Sequence, residues 1–192
     1  MKIGITLTSS ISVDQEYIDL TRSVLSLLAR NNFGVVYGGT EYGMMKELAE
    51  SYKQAGGVEL VGVMSRQLER ATLNYKVSDK LDSSYWVETI GERISTIAEL
   101  SDGILILPGG YGTLEEMGVY VGGKANKLFD KPIIIYNHNN FYDAFISFLE
   151  EMFSRGFSKI KLSDVVHIVT SEEDIVSYFN TYSKVSLPDK FV

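Results

Sequence analysis

The chain has 192 residues, a formal net charge of −7 at pH 7 and no cysteine. Its length predicts one domain with a substantial core, and the lack of cysteine excludes disulfides, a thiol nucleophile and thiolate metal ligands. The acidic charge argues against broad nucleic-acid binding. The sequence contains neither a secretory signal nor an apolar run of the roughly 18 residues needed to cross a membrane. We therefore expect a cytoplasmic protein with neither nucleic acid nor membrane as a partner.

The first third of the chain alternates between strand and helix patterns. Apolar, β-branched runs predict strands, and apolar residues spaced three or four apart predict helices. The predicted elements are a strand over 2–7, a helix over 13–31, a strand over 34–37, a helix that ends at Gly56, and a strand over 60–64. This order predicts parallel strands joined by right-handed crossovers.

A hydroxyl-rich turn, Thr8-Ser9-Ser10, follows the first predicted strand. Ligands of open α/β sheets bind outside the carboxyl ends of the strands, which makes Ser9 a candidate for substrate binding. Turn formation and helix capping are the alternative role of these hydroxyls, and the residues alone favour it.

The rest of the chain continues the alternation after a break. Residues 65–84 are polar and weakly patterned, which predicts a long loop over the strand ends. The further predicted elements are strands over 85–87, 104–107, 132–136 and 165–169 and helices over 89–100, 113–127, 141–153 and 171–179. Together they predict an α/β, Rossmann-like fold, a doubly wound parallel sheet with helices on both faces, in one domain over residues 1–182 followed by a C-terminal tail over 183–192.

The segment from Ile104 to Glu116 predicts a buried strand, a glycine-rich turn and the start of a helix. Its three glycines, Gly109, Gly110 and Gly112, permit positive φ and close approach to the backbone. Thr113 followed by Glu116 predicts a capping box, with the helix beginning at Thr113. A helix N-terminus bared by glycines offers free amides and a positive dipole end, which predicts a phosphate site around residues 109–113.

The same pattern also turns an ordinary strand-to-helix corner without any ligand, so the glycines alone leave both interpretations open. The motif is neither the dinucleotide fingerprint G-x-G-x-x-G nor the Walker pattern G-x-x-x-x-G-K-[ST]. This weakens the case for NAD(P) binding and for ATP hydrolysis.

Two glycine turns give the chain a resemblance to a known family. They are Gly38-Gly39-Thr40-Glu41-Tyr42-Gly43-Met44-Met45 and Pro108-Gly109-Gly110-Tyr111-Gly112-Thr113-Leu114-Glu115-Glu116. The chain resembles the Lonely Guy family of cytokinin riboside 5′-monophosphate phosphoribohydrolases, long described as lysine decarboxylases. The second turn matches the family's P-G-G-x-G-T-x-x-E in full, and the first is similar to G-G-G-x-x-G-x-M with Thr40 in place of the third glycine. The family's M-H-x-R-K is represented by Ile90-Gly91-Glu92-Arg93-Ile94, which keeps only the arginine and the glutamate that often fills the x.

The resemblance implies a catalytic pair, Arg93 and Glu116, at the family's spacing of 23 residues (116 − 93). The implied reaction is hydrolysis of the N-glycosidic bond of a nucleoside 5′-monophosphate of AMP or cytokinin type, giving free base and ribose 5-phosphate. The implied binding residues are Gly109, Gly110, Gly112 and Thr113 for the phosphate, Gly38, Gly39 and Gly43 in a second loop over the nucleotide, and Ser9 and Glu115 as further candidates. No cofactor and no metal are expected, and the family's habit implies a homodimer.

Several alternatives stay open at this point. From the residues alone, Arg93 could form a solvent-exposed salt bridge, and Glu115 could be a solvated charge. Glu116 could have no role other than that of capping-box partner of Thr113. The missing histidine and lysine leave room for a carrier that binds a nucleotide or molybdenum cofactor without catalysis. An oligomeric scaffold whose glycines serve only packing is a third possibility.

Overall fold

A computed structural model describes residues 1–189 and contains one seven-stranded sheet in which every pairing is parallel. The strands are β1 Lys2–Thr6, β2 Gly34–Tyr37, β3 Leu60–Ser65, β4 Ser83–Val87, β5 Gly103–Ile106, β6 Ile133–Tyr136 and β7 His167–Val169. Their order across the sheet is β4-β3-β2-β1-β5-β6-β7. The predicted Rossmann-like sheet is confirmed.

The helices connect successive strands. They are α1 Gln15–Arg30, α2 Gly43–Gln54, α3 Arg66–Ala71, α4 Ile90–Leu100, α5 Tyr111–Ala125, α6 Asp143–Ser154, α7 Leu162–Val165 and α8 Glu172–Thr181. Among residues 1–189, none of them is both long enough and apolar enough to cross a membrane.

The sheet has a hydrophobic core on each face, as a doubly wound fold requires. Residues of α1, α2 and α8 form one core, and residues of α4, α5 and α7 form the other. The strand β5 and the residue after it show the alternation: Leu105 and Leu107 belong to the first core, while Ile104 and Ile106 belong to the second. A continuous apolar run is therefore what a strand buried on both faces needs.

The chain reverses its direction of travel across the sheet at β1. From β1 it proceeds outward through β2, β3 and β4, and it then returns to the other side of β1 to add β5, β6 and β7. The helices after β1 and β5 therefore leave toward opposite faces, and a crevice opens between the carboxyl ends of these two strands. Thr6 and Ile106 are paired in register at this edge.

The structure corrects three predicted features. The long loop predicted over 65–84 contains α3, which Ser65 caps by accepting a hydrogen bond from the amide of Leu68. Because no α3 residue is buried, the helix has no apolar stripe that a sequence pattern could reveal. The short helix α7 was also not predicted, and α5 begins at Tyr111 and not at Thr113.

The predicted C-terminal tail is only partly described. Residues 183–189 form no helix or strand, and residues 185–187 line a cavity together with Lys124, Phe129 and Asp130. The last three residues of the predicted tail, 190–192, lie outside the described residues. The division of the chain at residue 182 stays a prediction.

Candidate active site

The crevice at the carboxyl ends of β1 and β5 contains a cavity of about 260 Å³. Its walls come from the ends of β1 and β2, the segment from α3 to Tyr75, the start of α4 and the first turns of α5. The lining residues are Leu7, Thr8, Ser9, Thr40, Tyr42, Met45, Leu68, Thr72, Tyr75, Ile90, Arg93, Gly110, Tyr111, Gly112, Thr113, Glu115 and Glu116.

A buried ion pair lies at the base of this cavity. Arg93 Nη1 lies 3.0 Å from Glu116 Oε1, and their side chains are each only 7% exposed. Arg93 Nε also donates a 2.8 Å hydrogen bond to the carbonyl of Val63 on β3, which fixes the guanidinium on a second side. The structure thus brings together the two residues predicted to be catalytic and excludes the solvent-exposed salt bridge as the place of Arg93.

The second carboxylate oxygen of Glu116 has a partner that sequence analysis missed. The hydroxyl of Thr6, at the end of β1, donates to Glu116 Oε2. Thr6 is 2% exposed. A polar residue at a buried position of a strand, at the edge where ligands bind, is the only sequence signal that could have indicated it.

Burial dominates the electrostatics of Glu116. Removal of the carboxylate from water raises the pKa of Glu116 to about 7, the Arg93 guanidinium opposes this by stabilising the charged form, and the neighbouring Glu115 adds a smaller increase. A carboxyl group with a pKa near neutrality can serve either as a proton donor or as a base.

The first turn of α5 faces the same cavity. Gly110 is the N-cap, and no side chain among residues 1–189 caps this helix, so the amides of its first turn are available to a ligand. The predicted capping box is wrong, because Glu116 bonds to Arg93 and Thr6. The N-cap lies three residues before the predicted one, at Gly110, so Thr113 is inside the first turn of the helix.

This shift leaves the hydroxyl of Thr113 buried, and it has no hydrogen-bond partner in the described part of the chain. Thr113 lines the cavity and packs against Gly109, where an added Cβ would lie 2.1 Å from its Oγ1. A buried hydroxyl without a partner, next to free helix amides, is well placed to donate a hydrogen bond to an anion.

The other predicted binding residues fall into two groups. Gly110, Gly112, Ser9 and Glu115 line the cavity. Gly38, Gly39, Gly43 and Gly109 do not line it: they allow Arg93, Met64, the Ser10 carbonyl and Thr113, respectively, to approach closely. The roles of both groups toward a ligand stay predictions.

Comparison with known proteins supports the motif-based interpretation. A family model described as "Possible lysine decarboxylase" matches residues 45–179, well over half of the chain.

The chain belongs to the Lonely Guy family.

Named relatives in this family are distant. A cytokinin riboside 5′-monophosphate phosphoribohydrolase of Rhodococcoides fascians is 30% identical over 74% of this chain and 70% of its own length. One of Arabidopsis thaliana is 26% identical over 91% of this chain and 80% of its own length. A probable enzyme of the same name from rice, Oryza sativa subsp. japonica, is 25% identical over 81% of this chain, which spans only 62% of that relative.

Solved structures confirm the fold. The molybdenum cofactor carrier protein of Chlamydomonas reinhardtii has a TM-score of 0.69 at 17% identity, over 93% of this chain and 95% of the carrier. The molybdenum cofactor binding protein of Rippkaea orientalis has a TM-score of 0.67 at 18% identity, over 94% and 95% of the two chains.

This Lonely Guy chain departs from the family signature at three positions of α4, where Ile90, Gly91 and Ile94 replace the methionine, the histidine and the lysine. Gly91, at the position of the family's histidine, is exposed and has open space where a Cβ would be. Ile94, at the position of the family's lysine, is 1% exposed in the core formed by α4 and α5. Neither Gly91 nor Ile94 lines the cavity, so the ion pair is built without them.

The sequence predicted a loop over the strand ends at 65–84, but it did not indicate the individual residues of the cavity wall opposite α5. Leu68 and Thr72 on and after α3, Tyr75 in the following loop, and Ile90 at the start of α4 line it. The hydroxyl of Tyr75 is buried. The sequence offered little signal here, because α3 is short and the loop lacks a pattern.

Proposed function

We propose that this protein is a phosphoribohydrolase that cleaves the N-glycosidic bond of a nucleoside 5′-monophosphate, of AMP or cytokinin type, into free base and ribose 5-phosphate. The observation that supports this most is the buried Arg93–Glu116 pair, which opens into the same cavity as the free N-terminus of α5. An anion site and a carboxylate of raised pKa then face one substrate. The names of the relatives agree with this reaction.

The phosphate would be bound mainly by neutral donors. Arg93 is the only lysine or arginine that lines the cavity in the described structure, and Glu116 already engages it. The amides of the first turn of α5 and the hydroxyl of Thr113 are therefore the donors left for the phosphate. Backbone amides at a helix N-terminus suit an anion even in a protein of net charge −7.

Glu116 would act on the sugar. Cleavage of an N-glycosidic bond develops positive charge on the ribose ring, as in glycoside hydrolysis. An ionised carboxylate near the anomeric carbon stabilises that charge or directs water to it. Arg93 favours the ionised carboxylate, against the effect of burial, and holds it in one orientation.

The base would lie along the wall formed by Leu68, Thr72, Tyr75 and Ile90. Apolar side chains with a few convergent polar atoms are the usual lining of a small-molecule site. The hydroxyls of Thr72 and Tyr75 are the polar groups of this wall that could bind an edge of the base or a ribose hydroxyl.

The test is chromatographic detection of free base and ribose 5-phosphate after incubation with AMP and other nucleoside monophosphates. We expect Glu116→Gln to lose at least about 100-fold in kcat, because a carboxylate that acts in the transition state contributes at least that much. Glu115→Gln is the matched control: it changes a neighbouring carboxylate that lines the same cavity but is exposed, and we expect at most a few-fold change. Equal losses in the two variants would refute the assignment of Glu116.

The pH dependence has a definite sign. If the ionised carboxylate acts, kcat rises with pH up to about 7 and then levels off. The folding stability should run the other way. Because the pKa of Glu116 is raised from 4.5 to about 7 in the folded protein, the folded state holds this proton more tightly than the unfolded chain does, and stability falls as the pH rises from 4.5 through 7.

A carrier that binds a nucleotide or a molybdenum cofactor without hydrolysis is the second candidate. Two observations favour it: the residues at the family's histidine and lysine positions, Gly91 and Ile94, do not reach the cavity, and neighbours of the same fold include a molybdenum cofactor carrier protein and a molybdenum cofactor binding protein. Thermal stabilisation by nucleotides without release of base from any of them would support the carrier and refute the hydrolase. The expected homodimer and cytoplasmic location stay predictions, and light scattering of the purified chain tests the first.

A further inference from the structure

Two donors from distant parts of the chain hold the Glu116 carboxylate. Arg93 on α4 donates to Oε1 at 3.0 Å, and the Thr6 hydroxyl on β1 donates to Oε2. Each oxygen therefore has one side-chain donor, and the plane of the carboxylate is fixed from two directions. Thr6 does not line the cavity, so it acts on Glu116 from behind.

The position of the Thr6 hydroxyl is itself tightly determined. Thr6 pairs in register with Ile106 on β5, and its carbonyl accepts a 3.0 Å hydrogen bond from the amide of Leu107. Thr6 is a buried, β-branched residue, and such side chains have few accessible χ1 rotamers. The strand pairing and the restricted χ1 angle therefore hold the hydroxyl beside Glu116.

We propose that Thr6 is a positioning residue for Glu116, whose hydroxyl holds Oε2 in place and favours the ionised carboxylate. This role rests on the proposed function, since Glu116 needs positioning only for a reaction. Thr6 touches no reacting atom and acts through the glutamate alone. Its hydrogen bond acts in the same direction as Arg93, against the effect of burial.

Other groups also influence the proton of Glu116, and a test must leave them unchanged. Arg93 on α4 is the cation, Glu115 on α5 is the neighbouring anion, and Tyr120 lies one turn further along α5 with a buried hydroxyl that has no partner among the described residues. Tyr75, in the loop after α3, also interacts with Arg93, whose charge acts to lower the pKa of Tyr75 against the effect of burial. A substitution at Thr6 alters none of these four.

The decisive comparison is Thr6→Val against Thr6→Ser. Valine keeps the shape and the β-branch but removes the hydroxyl, whereas serine keeps the hydroxyl and removes a methyl group. A role in packing alone predicts that serine is the worse substitution, and a role in positioning predicts that valine is. Thr6→Ala, which also lacks the hydroxyl, serves as a second variant if valine does not fold.

Two readouts separate the inference from the proposed function. The first is the pKa of Glu116 in the free protein, from a carbon-13 NMR titration of its carboxyl group, with Glu116→Gln to assign the signal. A hydrogen bond to a charged group makes a difference of about one pH unit in such a pKa, so we expect Thr6→Val to raise it by about that amount and Thr6→Ser to leave it close to wild type. The second is the pH profile of kcat with the most active nucleotide, whose acidic limb should move by the same amount in Thr6→Val, with KM nearly unchanged.

The outcomes differ for the two ideas. An unchanged pKa and an unchanged kcat profile in Thr6→Val would overturn the positioning role even if the wild-type protein hydrolyses nucleotides. Loss of kcat at every pH in the serine variant as well would also overturn it and would leave a packing role. If Thr6→Val shifts the pKa of Glu116 but the wild-type protein hydrolyses no nucleotide, the contact between Thr6 and Glu116 would be supported and the proposed function refuted.

Discussion

The two glycine turns of this protein have similar sequences, but their glycines differ: Gly110 and Gly112 line the cavity, whereas the other four lie against other protein atoms. The turn after β2 contains Gly38, Gly39 and Gly43, and the turn after β5 contains Gly109, Gly110 and Gly112. A Cβ on Gly38 would lie 1.7 Å from Arg93 Nη2, and one on Gly43 would lie 2.0 Å from the carbonyl oxygen of Ser10. A Cβ on Gly110 or Gly112 would meet nothing within 4 Å.

This difference separates two uses of glycine that the motifs alone do not distinguish. In the first turn, glycine is needed because other protein atoms occupy the space of a side chain, and Gly38 lies directly against the Arg93 guanidinium. In the second turn, Gly110 and Gly112 leave open space at the start of α5, where its amides face the cavity. One turn therefore shapes the ion pair, and the other leaves room for a ligand.

The largest effect on folding stability is expected for Gly43→Ala. Gly43 has a φ of 50°, which L-residues adopt only at a cost, and its new Cβ would collide with the backbone of Ser10, which cannot rotate away. We expect a loss of about 2–4 kcal/mol in the free energy of unfolding, measured by urea denaturation.

Gly56→Ala is the matched control for this prediction. Gly56 also has a positive φ, 84°, but a Cβ there would meet nothing within 4 Å. It should therefore lose only the cost of the backbone conformation, about 1–2 kcal/mol. If Gly43→Ala costs no more than Gly56→Ala, the contact with Ser10 is not what requires glycine.

Gly38→Ala should have a smaller effect on stability but a large one on function. The clash is with Arg93, whose guanidinium is held by Val63 and Glu116 and cannot move without breaking one of those bonds. We expect a loss of about 1–3 kcal/mol in stability. A displacement of about 1 Å in a catalytic group can cost roughly 100-fold in rate, so we expect kcat for nucleotide hydrolysis to fall by about that factor.

The control for Gly38→Ala is the first residue of the strand that leads into this turn. Gly34→Ala would place its Cβ 3.1 Å from the flexible side chain of Lys2, which can move aside. We expect little change in stability and none in kcat. Wild-type kcat in Gly38→Ala would show that Arg93 does not depend on this turn.

The sequence predicted the sheet and, through the resemblance to the Lonely Guy family, the pairing of Arg93 with Glu116, but not how the pair is held. The strands alternate regularly with helices, whereas the residues alone favoured a solvent-exposed salt bridge for Arg93. The contact between Thr6 and Glu116 spans 110 residues, and no local pattern indicates a hydrogen bond made by the fold.

The failed capping box shows a different limit. Thr113 and Glu116 have the spacing of a cap, and local chemistry cannot tell an N-cap threonine from one inside the first turn. The N-cap of α5 is Gly110, so the helix begins at Tyr111 and Thr113 lies inside its first turn. The true capping box is Thr89 with Glu92 at the start of α4, where no glycine turn precedes the helix.

The smallest effect on stability, and the sharpest division between the two turns, is expected for Thr113→Val. The hydroxyl of Thr113 is buried and has no partner within the described residues, so the folded protein gains nothing from it and bears the cost of its desolvation. Valine has the same shape, and we expect stability to be unchanged or slightly raised. Affinity for a nucleoside monophosphate should fall by about 5- to 10-fold, the equivalent of one lost hydrogen bond of roughly 1 kcal/mol, measured by calorimetric titration.

Thr21→Val is the control, because that hydroxyl is also buried but donates to the Tyr17 carbonyl at 2.8 Å. This variant should lose stability and keep its affinity. Unchanged affinity in Thr113→Val would mean that the hydroxyl is not a phosphate ligand and that the amides of α5 bind the anion without it.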